Sequence, residues 1–333
     1  MLLPAESLWQ TGSWRSSKMK ITILDRNTLT IGDIDFSPIE ELGEVSYYDA
    51  LPPEEVVPAC KDADVVLINK AEITKEVIEA LPNLKYIGVF ATGYNNVDIA
   101  YARQKGIDVC NVPGYSTDSV AQLVFAFIFS FATSIAKYDA AVHRGEWIHS
   151  PTFAFFPYHL SELAGKTLGI VGFGNIGKKV AQIGSAVGMK ILIYSRRQYD
   201  DCPYEQVDKN TLFQLADYLS LNCPLNEGTQ NLVCEETLSL MKRTACIINT
   251  SRGGVIDSVA LANALNCDRI RGAGIDVLVK EPMEKDDPLF TAKNCLITPH
   301  IGWASLEARK RLMLEVADNI SAWKNGAAVH VVN

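Results

Sequence analysis

Arg252, Glu281 and His300 each follow an apolar, strand-like run: CIINTS, GAGI and CLITP. Sheets covered by helices place ligands at that edge. A histidine titrates near neutrality, so it can give or take the proton of a carbonyl oxygen during hydride transfer. The plainer reading of His300 is a capping residue in a loop. A carboxylate beside a histidine favours the imidazolium and fixes the ring. Glu281, in the loop beyond GAGI, is the candidate. Asp276 either faces a cofactor or braces the loops. The planar fork of Arg252 suits a substrate carboxylate, and it would stabilise charge developing on an adjacent keto oxygen. Gly253-Gly254 should let the backbone turn sharply and leave the guanidinium room. His143, His149, His159 and His330 fall in loops, at helix edges or in the tail.

These residues need a sheet to position them. ITILD (21–25), VSYYD (45–49), DVVLIN (64–69), YIGVFA (86–91) and DVCNVP (108–113) read as strands, with helical stretches between them such as 74–80 and 97–104. Alternation of this kind implies a parallel sheet covered by helices. A second series starts at LGIVGFG (168–174) and continues through ILIYS, YLSLNCP, ACIINTS, GAGIDVL and CLITPH. The fold class is therefore α/β, with two doubly wound parallel-sheet domains. A helix over 304–325 follows.

In the second series, Gly172-Phe173-Gly174-Asn175-Ile176-Gly177 sits between an apolar strand and a helical run. Glycine suits a tight turn, a close approach to pyrophosphate and a helix packed near a strand. Free N–H groups at the helix start then hold the phosphates. The next strand should end in an acid that holds the ribose hydroxyls, but ILIY runs into Ser195-Arg196-Arg197. Serine and arginine can bind a 2′-phosphate that an acid would repel. NADP(H) is the expected cofactor, with NAD(H) as the alternative if the arginines are only solvated.

The 333 residues suggest about two domains. A net charge of −8 without a basic block argues against nucleic acid. The eight cysteines form no CxxC pair, and HExxH and GxSxG are absent, so neither a metal site nor serine hydrolase chemistry is expected. Scattered free thiols fit a reducing, cytoplasmic setting. Residues 1–18, with Trp9 and Trp14, read as a leader or an added extension before Met19. Residues 120–136 carry no charge but are interrupted by Gln122, Ser130, Thr133 and Ser134. They predict a long helix buried on most sides against another domain or a second subunit, not a membrane span.

From residue 19 to 333 the chain resembles the D-isomer-specific 2-hydroxyacid dehydrogenase family, in its glycerate dehydrogenase and hydroxypyruvate/glyoxylate reductase branch. The strings are GYNNVDIA, NVPGYSTDSVAQ, GKTLGIVGFGNIGKKVA, NCPLNEGTQNLV, INTSRGGVID, AGIDVLVKEP and TPHIGWAS. The resemblance implies a Rossmann cofactor domain over 117–303. It implies a flavodoxin-like substrate domain built from 19–116 and 304–333, with the active site in the cleft and closure excluding water. It puts the catalytic trio on Arg252, Glu281 and His300. Thr92, Gly93, Arg252 and Trp303 are expected at the substrate. Gly172, Gly174, Asn175, Ile176, Gly177, Ser195, Arg196, Arg197, Cys223, Pro224, Thr250, Asp276 and His300 are expected at the cofactor, Asp276 near the carboxamide. Members pair as homodimers through a helix that here spans 119–141.

The family's ribose-binding acid is replaced by Ser195, a pattern resembling NADPH-preferring reductases. Gln122 stands where many members carry Glu. Thr92, Gly93, Tyr94 and Asn95 supply no basic group, which favours a small 2-keto or 2-hydroxy acid over a phosphorylated one. The alternatives are pyruvate or branched keto acids as substrates, or a non-catalytic NAD(P)-binding regulator.

Overall fold

The computed structural model describes residues 18–333, so the extension expected over residues 1–18 lies, but for Lys18, outside the described residues. Two compact units are present. The first is built from the described residues up to Pro113 together with Lys310–Asn333, and the second is Gly114–Arg309.

The first unit opens with β1 (Lys20–Ile23), α1 (Ser37–Glu40), β2 (Glu44–Tyr47), α2 (Pro53–Cys60) and β3 (Val65–Ile68). It continues with α3 (Lys75–Glu79), β4 (Tyr86–Val89), α4 (Ile99–Gln104) and β5 (Asp108–Cys110). Its five strands are all parallel in the order β2-β1-β3-β4-β5, the flavodoxin-like arrangement. Every residue of β3 and β4 is buried. That is why the runs are continuously apolar rather than alternating.

The second unit begins with α5 (Thr117–Thr133) and α6 (Ile135–His143), then β6 (Thr167–Val171), α7 (Asn175–Ala186), β7 (Lys190–Tyr194) and β8 (Glu205–Gln206). There follow α8 (Lys209–Leu215), β9 (Tyr218–Leu221), α9 (Glu235–Leu240) and β10 (Cys246–Asn249). The series ends with α10 (Ser258–Asn266), β11 (Gly272–Ile275) and β12 (Cys295–Ile297). The last helix, α11 (Leu306–Lys324), leads back into the first unit. There His330 and Val332 bond Asn111 and Val109 beside β5.

The seven strands of the second unit are parallel, in the order β12-β11-β10-β9-β6-β7-β8. This is the Rossmann order, and it reverses between β6 and β9. Side chains alternate across the sheet. Val171, Leu192 and Ile247 face one core with the helices α8 and α10, while Ile170, Ile193 and Ile248 face the other with α5 and α7. Each such fully buried aliphatic chain contributes roughly 1.5–3 kcal/mol by leaving water.

The single helix expected over 119–141 is two helices. Their axes differ by 57°. Ser134 between them has φ of 49°, and its hydroxyl donates to the His159 carbonyl at 3.0 Å. That left-handed residue ends α5. Nine residues of α5 are buried in its own unit, where Phe127 and Phe131 fill space that Gly274 and Gly272 of β11 leave open. No single helix among the described residues is long and apolar enough to cross a membrane.

All eight cysteines are free. Burial pushes the thiols of Cys60, Cys246 and Cys295 up to about 12, and those of Cys110 and Cys223 up to about 11. Native protein at pH 8 should therefore react quickly with a thiol reagent at exposed Cys267, and slowly at these five. Rapid native labelling of the five would contradict this packing. An unfolded thiol loses its proton near pH 8.5, while the folded thiols hold theirs to pH 11–12. Stability should accordingly fall as pH rises through that window.

Candidate active site

One register line crosses six strands of the second unit: Tyr194, Val171, Leu221, Asn249, Ile275 and Ile297. The next residue on each strand is Ser195, Gly172, Asn222, Thr250, Asp276 and Thr298. The expected cofactor and catalytic residues of this unit thus leave the sheet at one edge, its C-terminal one.

The glycine turn lies at the point of reversal. Gly172 has φ of 87°, and a Cβ there would lie 2.8 Å from the Asn222 carbonyl oxygen of the neighbouring strand loop. At Gly177 a Cβ would collide with the Gly172 carbonyl, so the helix can sit tight on the turn. A Cβ on Gly174 would meet nothing within 4 Å. Open space there, with no side chain capping α7, leaves the N–H groups around Asn175 and Ile176 to an anionic group. Thr250 Oγ1 is buried without a hydrogen-bond partner. An open glycine cradle and an orphaned hydroxyl fit a dinucleotide across the reversal point. Cys223 is buried beside this edge and feels the charge of Arg196, while Pro224 is exposed. Arg196 and Arg197 are exposed, and Ser195 Oγ accepts the Arg197 N–H at 3.2 Å.

Arg252 and His300 each stand three residues beyond the register line, in the loops that follow β10 and β12, and β11 is the strand between those two. Buried Asn249 shapes the first loop. Its Oδ1 accepts the N–H and hydroxyl of Ser251, and its Nδ2 donates to the Arg252 carbonyl at 2.9 Å. The Arg252 guanidinium is exposed, with Nη1 on the Ser251 carbonyl at 2.8 Å. Burial pushes the nearby Tyr115 phenol above its ordinary range, and the Arg252 charge partly offsets this. Gly253 is needed for a different reason than a sharp turn. A Cβ there would collide with the backbone of Leu278 and Val279. The Arg252 loop therefore packs directly on the Glu281 loop.

Glu281 connects that loop to His300. Its Oε1 accepts the Leu278 N–H at 2.9 Å, and its Oε2 meets His300 Nδ1 at 2.6 Å. A carboxylate can only accept, so Nδ1 is the donor. His300 has φ of 56°, a conformation that L residues adopt at a cost. Its surroundings hold it there. Its N–H donates to the Asp276 carbonyl at 2.8 Å, and its own carbonyl accepts Trp303 Nε1 at 2.9 Å. The buried Asp276 carboxylate takes the Thr298 hydroxyl and the N–H groups of Ile301 and Gly302 at 2.6–2.9 Å. Of the two readings of Asp276, loop bracing is the one these bonds support. Ser119 adds a clamp from α5, its hydroxyl donating to the Gly302 carbonyl at 2.7 Å. Neither Ser119 nor the tie from Trp303 was legible beforehand, since both depend on how the loop folds back.

Thr92 and Gly93 follow β4 in the first unit. The Thr92 hydroxyl donates to the Val112 carbonyl, and its carbonyl accepts from Asn111 Nδ2.

The family model for the NAD binding domain of D-isomer specific 2-hydroxyacid dehydrogenases matches residues 125–302. The chain belongs to this family. It is therefore an oxidoreductase that uses a nicotinamide cofactor. It is 41% identical over 323 residues to a hydroxypyruvate reductase of Blautia hydrogenotrophica, covering 95% of this chain and all of that one. A glycerate dehydrogenase of Methylorubrum extorquens is 37% identical over 94% of this chain and 98% of its own. Among solved structures, an acyclic imino acid reductase in complex with NADPH and D-Arg superposes with a TM-score of 0.84. It is 34% identical, over 95% of this chain and all of that one. The dehydrogenase family accounts for both sheets of the chain and for the glycine turn.

Proposed function

We propose that this dehydrogenase reduces a small 2-keto acid, hydroxypyruvate to D-glycerate or glyoxylate to glycolate, with NADP(H) as the preferred cofactor. The observation that carries the reading is the 2.6 Å contact between His300 Nδ1 and Glu281 Oε2, next to the Arg252 loop. When bound, the nicotinamide supplies the hydride that reaches C2. With Nδ1 donating to Glu281, Nε2 of His300 is left to protonate the carbonyl oxygen. Arg252 holds the substrate carboxylate and stabilises negative charge developing on the oxygen. Trp303 and Asp276 fix the loop that carries His300, so the ring is set before substrate arrives. The backbone from Gly172 to Gly177 and the Thr250 hydroxyl hold the dinucleotide. Ser195, Arg196 and Arg197 take its 2′-phosphate. Hydroxypyruvate is suggested by the names of the two relatives, and the lack of a basic group at 92–95 favours a small uncharged-tail acid such as it or glyoxylate.

Absorbance at 340 nm with NADPH and NADH in parallel tests both parts. Hydroxypyruvate or glyoxylate should be reduced, with a KM for NADPH well below that for NADH. Equal or better use of NADH would overturn the cofactor preference, and no turnover with either acid would overturn the substrate.

We further propose a homodimer through the second unit, in the cytoplasm, where its free thiols stay reduced. Phe129, Ile135, Ile148, Phe153 and Phe156 are exposed on α5, α6 and the loop after them. Burying such a run of large apolar side chains favours association. Light scattering behind a sizing column should give twice the chain mass. A Phe153→Glu, Phe156→Glu variant should give one chain mass, and a monomeric wild type would contradict the proposal.

A further inference from the structure

The glycine turn and the loop after β7 are joined by aromatic rings. Tyr199 donates its hydroxyl to the Phe173 carbonyl at 3.1 Å, and the two rings meet edge to face with centroids 5.3 Å apart. Tyr204 also meets Phe173 edge to face, with centroids 6.1 Å apart. Gln206 Nε2 donates to the carbonyls of Ser195 and Arg197, so the loop is closed at its other end as well.

Two cations share the Tyr199 ring. The Arg197 guanidinium carbon is 5.6 Å from its centroid. Lys178 Nζ, reaching from the residue after the third glycine, is 5.9 Å from this centroid and from that of Phe173. Among the described residues, no carboxylate lies within 4.0 Å of Lys178, Arg196 or Arg197, although Asp200 and Asp201 follow in the chain. The adjacent Lys179 does pair, with Asp118 at 2.8 Å. Uncompensated like charges gathered around one ring repel, and the chain as a whole carries −8. The arrangement is relieved by an anion. A phosphate monoester carries close to two negative charges at neutral pH.

We propose that Lys178 is a third cation for the adenosine 2′-phosphate, and that the Tyr199 ring sets it beside Arg197. This rests on the reading of Ser195, Arg196 and Arg197 as a 2′-phosphate site. Lys178 thereby determines specificity from the glycine-turn helix, outside the loop after β7. Tyr199 is a positioning residue that acts through both cations.

Titrating NADPH and NADH against purified wild type, Lys178→Met and Tyr199→Leu, by quenching of tryptophan fluorescence, tests it. Lys178→Met keeps the aliphatic stem and removes the charge. It should weaken NADPH about tenfold more than it weakens NADH, and flatten the dependence of NADPH affinity on salt. Tyr199→Leu should shift the ratio in the same direction, while Tyr199→Phe, which keeps the ring, should shift it less. An equal loss for both dinucleotides in Lys178→Met would place the lysine at the pyrophosphate and overturn the proposal, as would no loss. The wild-type ratio is a separate readout. If wild type binds NADH more tightly, the NADP(H) reading fails, whatever Lys178→Met does to the ratio.

Discussion

His300→Ala should lower kcat by about 10²–10⁴-fold, the usual worth of a positioned general acid. The geometry leaves few substitutes. Nδ1 is held by Glu281 Oε2 at 2.6 Å, so the ring orientation and the donor nitrogen are set together. The backbone at φ 56° complicates the variant, because alanine tolerates that region less well than asparagine. His300→Asn should therefore retain more stability than His300→Ala and show the same loss of kcat. Melting temperatures followed by circular dichroism separate the two effects. If either variant, folded, kept kcat within about threefold of wild type, the acid–base role would be wrong.

The second large effect is expected at Arg252. Arg252→Ala should raise KM for the keto acid and lower kcat. A drop in kcat/KM of about 10²–10³ or more is the scale for losing a charge-stabilising donor. Arg252→Lys keeps the charge but not the planar fork, so it should recover only a small part. The side chain is exposed and bonds only its neighbour's carbonyl, so removing it leaves little buried behind. Stability should be within about 0.5 kcal/mol of wild type, as for surface changes. A rise in KM with kcat unchanged would mean that Arg252 only binds substrate and does not stabilise developing charge.

Much of the architecture was legible because the strands are buried on both faces and read as unbroken apolar runs, such as VVLI and CIIN. The glycine turn was legible because close backbone at Gly172 and Gly177 leaves those two positions no choice of residue. What failed to show was set by contacts distant in sequence. Ser134 breaks the apolar helix by way of the His159 carbonyl. The Gly253 requirement comes from the passing backbone of Leu278. Trp303 is expected at the substrate, and the bond from its indole N–H to the His300 carbonyl three residues back had no linear signature. The two-residue β8 has too little pattern to read, and the sharing of one ring by Lys178 and Arg197 has no linear signature.

The most direct test is the configuration of the product. Hydroxypyruvate and NADPH would be incubated with the purified enzyme, and the glycerate formed resolved on a chiral column. The arrangement of Arg252, Glu281 and His300 in a D-isomer specific fold predicts D-glycerate alone. L-glycerate, a racemate, or no glycerate would contradict it.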